Sequence, residues 1–137
     1  MNKILLRIGG VLNLLFVLVH LGMVKPLDEA LAPLSSDIQA TASTWNAQVA
    51  FTLVIFAYLA FFQWRALLTT RLGTITAITI SLFWFLRAIN QVLFYPLATA
   101  GMLLIGVCLV VGLLHLIPAL REWKNVPGKA QHPATAS

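Results

Sequence analysis

Residues Ser81–Tyr95 read SLFWFLRAINQVLFY and carry one charge, Arg87, inside a segment apolar enough to cross a membrane. A guanidinium at membrane depth costs about 2.5–3.5 kcal/mol on insertion scales. No acidic residue lies within any of the hydrophobic segments of the chain, so none is available there to neutralise this cation. Other groups must therefore solvate Arg87, and this requirement is the first indication of function.

The composition of the whole chain indicates a membrane protein. Of its 137 residues, 60% are hydrophobic and 9% are charged, whereas soluble domains have roughly 25% charged residues. Too few polar side chains are present to cover the surface of a water-soluble globule. The formal net charge of +5 would suggest nucleic-acid binding in a soluble protein. Here the basic residues follow the ends of the apolar segments, and we expect no nucleic-acid partner.

Four apolar segments predict four transmembrane helices, because each has about the 20 residues that a helix needs to cross a bilayer. The predicted fold class is all-α, an integral membrane four-helix bundle that forms a single domain over residues 1–123. Its predicted parts are spans at about 4–24, 46–68, 73–95 and 100–120, an outer loop at 25–45 and a disordered cytoplasmic tail at 124–137. Within the loop, Ser36-Asp37-Ile38-Gln39 has the spacing of a capping box, which predicts a helix start near Asp37.

The distribution of charge predicts the orientation of the chain. If the four segments alternate, most of the basic residues fall on one side, namely Lys3, Arg7, Arg65, Arg71, Arg121, Lys124 and Lys129. The other side receives Lys25 together with Asp28, Glu29 and Asp37. Basic residues concentrate on the cytoplasmic side of membrane proteins. We therefore expect a multi-pass protein of the cell membrane with both termini in the cytoplasm.

Polar side chains from three spans are predicted to meet at one depth, in the outer half of the membrane. Counting about 1.5 Å per residue from the outer helix ends brings them to similar heights. The predicted ligand-binding layer consists of Arg87, Gln91, His20, Gln48, Asn90 and Trp84. One cation among amide and imidazole groups would suit a lipid headgroup, a quinone-like carbonyl or a small anion.

The same residues also have structural interpretations. Arg87 could extend to lipid phosphates, although helical side chains lean toward the helix N-terminus, which turns Arg87 away from the nearer surface. His20 could be a hydrogen-bonded structural histidine. Intramembrane amides such as Gln48 and Gln91 often join helices, with about 0.6 kcal/mol for each hydrogen bond.

Small residues at helical spacing predict helix contact surfaces, because they let two backbones approach closely. The predicted packing residues are Gly101, Cys108, Gly112 and His115 in the fourth span, and Ala50 and Ala57 in the second. These surfaces join helices within the bundle or copies of the chain in a homo-oligomer.

Most catalytic chemistry needs sets of residues that the spans lack. Metal sites require clustered His, Cys, Asp or Glu ligands, so no metal is predicted. His20 and His115 lie near opposite ends of the spans and cannot bind the two faces of one haem within a single chain. The sequence identifies no cofactor.

Three functional hypotheses follow from the polar layer. The first is a non-enzymatic binding or accessory subunit, which contacts membrane lipids and works as a homo-oligomer or beside a larger membrane partner. The second is a channel or transporter with Arg87 lining the pathway, because rings of arginine select anions. The third is a membrane enzyme in which His20 acts as acid or base and Arg87 stabilises developing negative charge.

Overall fold

The computed structural model describes residues 1–94 and 99–123, and within these ranges the chain is helical with no strand. Its helices are α1 (Asn2–Gly22), α2 (Val24–Leu31), α3 (Ser36–Phe62), α4 (Trp64–Thr69), α5 (Arg71–Phe94) and α6 (Thr99–Trp123). The predicted all-α fold is confirmed for this part of the chain. The predicted disordered tail at 124–137 lies outside the described residues, as does Tyr95 at the end of the third predicted span.

Four of these helices are long and apolar enough to cross a membrane. Over their best windows, α1, α3, α5 and α6 have mean hydropathies of 2.2, 1.6, 1.7 and 2.6. Each is longer than the minimum of about 17 residues for a transmembrane helix. These properties indicate a multi-pass membrane protein, while the orientation of the termini stays a prediction.

Large apolar side chains of these helices point outward, as expected where lipid surrounds a protein. Leu18, Phe51 and Leu103 are 64%, 66% and 66% exposed. The buried positions include many small residues, such as Ala57, Ala60, Ala77 and Ala88. Because lipid tails are as apolar as leucine, helices in a membrane associate through close packing rather than through hydrophobic burial.

The chain forms two compact units, one of Met1 and Lys3–Trp64 and the other of Asn2 and the described residues from Arg65 to Trp123. The division falls within α4. That the two units make up one domain stays a prediction.

In the first unit, α1 and α3 approach closely at Gly10. A Cβ atom added there would lie 3.0 Å from the Cβ of Ala60 and 3.1 Å from the ring of Phe61. The short helix α2 is joined to α3 by a hydrogen bond of 3.3 Å, which the Ser43 hydroxyl donates to the Asp28 carboxylate.

The start of α3 differs in detail from a capping box. The helix begins at Ser36, after Ser35 in extended conformation, and no side chain caps it. Gln39 instead donates its Nε2 hydrogen to the carbonyl oxygen of Leu34 at 2.8 Å. It therefore stabilises the turn that precedes the helix rather than the first amide groups of the helix.

The second predicted span is interrupted. The helix α3 ends at Phe62, and Gln63 leaves helical geometry with φ −106° and ψ 15°. The chain then forms the short helix α4, whose Leu67 and Leu68 are buried. A hydropathy pattern does not register this break, because the residues around Gln63 remain apolar.

In the second unit, Thr70 joins α4 to α5. Its hydroxyl oxygen accepts a hydrogen bond from the backbone N–H of Gly73 at 2.9 Å and donates one to the carbonyl of Ala66 at 2.8 Å. A Cβ atom at Gly73 would lie 1.9 Å from that same carbonyl oxygen. Farther along, α5 packs on α6 where Phe85 lies over Gly112. The joint and this contact set the position of α5 within the unit.

Candidate functional site

Arg87 forms the centre of the polar face of α5. Its side chain is half-buried, and its Nη1 atom donates a hydrogen bond of 3.2 Å to Oε1 of Gln91, one helical turn away. Trp84 and Gln91, at 2% and 6% exposure, share this face of the helix. Asn90 is half-buried beside Gln91. Four predicted site residues therefore lie within two turns of one helix.

The hydrogen bond between Arg87 and Gln91 determines which groups this pair offers to a ligand. A guanidinium has five N–H donors and no acceptor, and a carboxamide has one oxygen acceptor and two N–H donors. Because the oxygen of Gln91 is directed at Arg87, the amide contributes its N–H donors to other contacts. The pair suits a partner with acceptor oxygens, such as a carbonyl, a carboxylate or a phosphate.

The position of Arg87 along α5 places its charge well inside the helix. At about 1.5 Å per residue, it lies about 10 Å from the Phe94 end, which is roughly a third of a 30 Å hydrocarbon layer. The sequence contains no Asp or Glu between Ile38 and Arg121. No carboxylate from that part of the chain can neutralise the guanidinium.

The first unit has its own polar centre, formed by His20 and Asn46. The imidazole Nδ1 lies 2.7 Å from Oδ1 of Asn46, and Nδ2 of Asn46 donates to the carbonyl oxygen of His20 at 2.9 Å. Since the amide nitrogen of Asn46 is bound to that carbonyl, its oxygen faces the ring and Nδ1 carries the hydrogen. In the neutral ring, Nε2 is then the acceptor.

Asn46 was not among the predicted ligand-binding residues. The available signal was its position at the first residue of the second predicted span, opposite the last turn of the first. Gln48, which was predicted, has an exposed side chain, and its backbone carbonyl accepts a hydrogen bond from Thr52. The polar layer also stays a prediction, because His20 and Gln48 belong to the first unit and Arg87 belongs to the second.

The residues predicted to pack helices are all buried, namely Gly101, Cys108, Gly112, His115, Ala50 and Ala57. His115 donates from Nδ1 to the carbonyl of Val111 at 2.9 Å. Its Nε2 atom is buried and has no hydrogen-bond partner among the described residues. Whether any of these residues joins copies of the chain stays a prediction.

An apolar groove of about 320 Å³ lies between α5 and α6, and it is lined by Phe85, Ala88, Ile89, Val92, Ile105 and Leu109. At 3.6 residues per turn, Arg87 points to roughly the opposite side of α5. The groove is therefore separate from the face that carries Arg87 and Gln91.

The described residues contain no group of three or more His, Cys, Asp or Glu side chains that could hold a metal ion.

Comparison with known proteins gave no relative: no protein-family model, no curated protein and no solved structure matches the chain.

Proposed function

We propose that this chain is a small non-enzymatic membrane protein that binds an oxygen-bearing ligand through Arg87 and Gln91, in the outer half of the membrane. The ligand is a lipid headgroup, a quinone-like carbonyl compound or a small anion. The observation that carries the proposal is the 3.2 Å hydrogen bond from Nη1 of Arg87 to Oε1 of Gln91. Because the amide oxygen of Gln91 accepts this bond, the two side chains together present N–H groups rather than acceptors.

The energetic argument is a comparison of magnitudes. Placing arginine in the centre of a membrane helix costs about 2.5–3.5 kcal/mol. A hydrogen bond to a charged group contributes about 1.5–3 kcal/mol, and the bond from Arg87 to the neutral amide of Gln91 is of this kind. An anionic ligand adds the attraction between opposite charges to such hydrogen bonds, so it is a more effective partner for Arg87 than another amide.

The polar groups of α5 favour a binding site over a pathway through the membrane. Ser81 lies closer to the start of the helix than Arg87, and it is fully buried. Its hydroxyl donates to the carbonyl of Ala77 at 2.9 Å, within its own helix. A channel would instead place polar side chains along a water-filled path on both sides of Arg87. The hydroxyls of Thr76 and Thr79, which also precede Arg87, donate to carbonyls of their own helix as well. The side-chain N–H groups on the polar face of α5 lie at Arg87, Asn90 and Gln91.

The test is native mass spectrometry of gently purified protein, which identifies lipids and small molecules that remain bound. We expect a bound species in the wild type that is lost in Arg87→Leu and reduced in Gln91→Leu. The control is Leu93→Ala, which alters a side chain of α5 that is 66% exposed. The same bound species at the same occupancy in Arg87→Leu would contradict the proposal. Because this substitution removes an insertion cost of about 2.5–3.5 kcal/mol, poor insertion would not explain a loss of binding.

A further inference from the structure

We propose that the second unit binds the headgroup of an anionic phospholipid at the end where α4, the start of α5 and the end of α6 meet. This basic end is defined by Arg65, Arg71 and Arg121, whose side chains are all exposed. The site is separate from Arg87, which lies inside α5, and the inference does not depend on the function proposed above.

Two contacts bring the parts of the basic end together. The close approach of Gly73 to the Ala66 carbonyl holds the start of α5 against α4, and so places Arg71 near the helix that carries Arg65. The guanidinium carbon of Arg71 lies 5.9 Å from the ring centre of Trp123, at the end of α6. Arg121 lies two residues before this tryptophan in α6, and its Nη1 donates a hydrogen bond of 3.5 Å to Oδ1 of Asn2, which belongs to the same unit.

The charge of this end selects a negative partner. Among the described residues of α4, α5 and α6 the acidic residue is Glu122, which accepts a hydrogen bond of 2.7 Å from Asn2. Three arginines and one glutamate give this end a net positive charge. Arginine binds phosphate oxygens through two parallel hydrogen bonds, and basic groups near a membrane surface attract anionic lipids. The position at the ends of membrane-length helices, next to a tryptophan, corresponds to the level of lipid headgroups.

Neighbouring apolar side chains favour a lipid over free phosphate. Leu72 follows Arg71 and is 75% exposed, and Leu120 precedes Arg121 and is 54% exposed. Within α4, Leu67 and Leu68 are 2% and 8% exposed, so this helix is anchored while its arginine points outward. A ligand that contacts the arginines together with the exposed Leu72 and Leu120 has a negatively charged head and an apolar tail.

The experiment measures lipid preference. The full-length protein is placed in detergent micelles that contain equal amounts of phosphatidylglycerol and phosphatidylcholine with identical acyl chains, and native mass spectrometry counts the lipids retained. We expect the wild type to retain phosphatidylglycerol preferentially. In Arg65→Gln/Arg71→Gln/Arg121→Gln this preference should fall by about fivefold for each arginine removed.

The control is Lys25→Gln, which removes one positive charge from the exposed surface of α2 and is compared with Arg71→Gln alone; it should retain most of the preference. The inference is overturned if the arginine variant keeps the wild-type preference, or if Lys25→Gln loses as much as Arg71→Gln. It is also overturned if inorganic phosphate displaces the lipid more effectively than chloride at equal ionic strength, which would indicate a site for free phosphate.

A measurement on the wild type alone covers the case in which the arginine variant does not fold. Raising the salt from 0.1 to 1 M shortens the screening length from about 10 to 3 Å, and the preference for phosphatidylglycerol should fall. An unchanged preference contradicts the inference. Arg87→Leu should retain the preference for phosphatidylglycerol. A failure of the lipid site is therefore distinguishable from a failure of the ligand site proposed at Arg87.

Discussion

A methyl group at position 73 would lie 1.9 Å from the carbonyl oxygen of Ala66 and 2.7 Å from the Cα of Leu67. Both neighbours are backbone atoms, which cannot rotate out of the way as a side chain can. Gly106 in α6 is the opposite case, since a Cβ there would meet no atom within 4 Å. Neighbouring backbone atoms therefore require glycine at position 73, whereas position 106 has room for a larger residue.

Alanine at these two positions should have opposite effects on stability. We expect Gly73→Ala to lower the free energy of unfolding by about 1–3 kcal/mol, the usual cost of overpacking. Gly106→Ala should raise it by up to about 1 kcal/mol, because alanine favours helix. Unfolding by SDS in mixed micelles, followed by circular dichroism, measures both. Equal stability of the two variants would show that α4 and α5 do not approach as described.

At this scale the sequence allowed some contacts to be predicted and not others. Arg87 and Gln91 are four residues apart in one helix, so their spacing alone predicted that they share a face. The hydrogen bonds between His20 and Asn46 link two different helices. Their formation depends on the rotation of each helix about its axis, which no spacing within one helix determines.

Several hydrogen bonds join α4 and α5 at Thr70. Its hydroxyl accepts a hydrogen bond from the backbone N–H of Gly73 and donates one to the carbonyl of Ala66. Its carbonyl oxygen accepts two hydrogen bonds from Thr74, one from the backbone N–H at 2.9 Å and one from the side-chain hydroxyl at 3.0 Å. Thr70 thus acts as the cap of α5 and ties the last turn of α4 to it. The loss of such a cap usually costs about 0.5–2 kcal/mol.

Removing this cap should destabilise the second unit. We expect Thr70→Ala to lower the free energy of unfolding by about 0.5–2 kcal/mol. The control is Thr79→Ala in the same helix, where the exposed hydroxyl bonds only to its own helix at Ile75. This variant should be neutral or slightly stabilised, since alanine is the better helix former. The SDS titration used for Gly73 compares the two, and a control as unstable as Thr70→Ala would contradict the capping role.

Hydropathy predicted the long helices but not the joints between them. The first predicted span, 4–24, corresponds to α1 at Asn2–Gly22, and the fourth, 100–120, to α6 at Thr99–Trp123. The end of α3 at Phe62 and the separate helix α4 were not predicted. Helix ends depend on backbone dihedral angles and on caps such as Thr70, and neither of these changes the mean hydropathy of a segment.

At the scale of the whole molecule, the asymmetry of charge predicts how the chain crosses the membrane. Two exposed residues test it: Ser35 precedes α3 in the predicted outer loop, and Thr69 ends α4 on the predicted cytoplasmic side. Cys108 is fully buried, so a thiol reagent should label the wild type weakly.

We expect a membrane-impermeant maleimide to label Ser35→Cys in intact cells and to label Thr69→Cys only after the membrane is opened. The physical reason is the excess of arginine and lysine on the side of Thr69. Labelling of Thr69→Cys in intact cells, with no labelling of Ser35→Cys, would show that the orientation is opposite to the predicted one.

The depth of Arg87 also has an electrical consequence. A charge that crosses the entire membrane gains or loses about 2.3 kcal/mol for each 100 mV of transmembrane voltage. Arg87 lies roughly a third of the way in from the Phe94 end of α5. If the ligand proposed for Arg87 is an anion that enters from that side, it moves through about a third of the voltage drop, and we expect its affinity to change about fourfold for each 100 mV. The occupancy of the proposed site would then depend on the membrane potential.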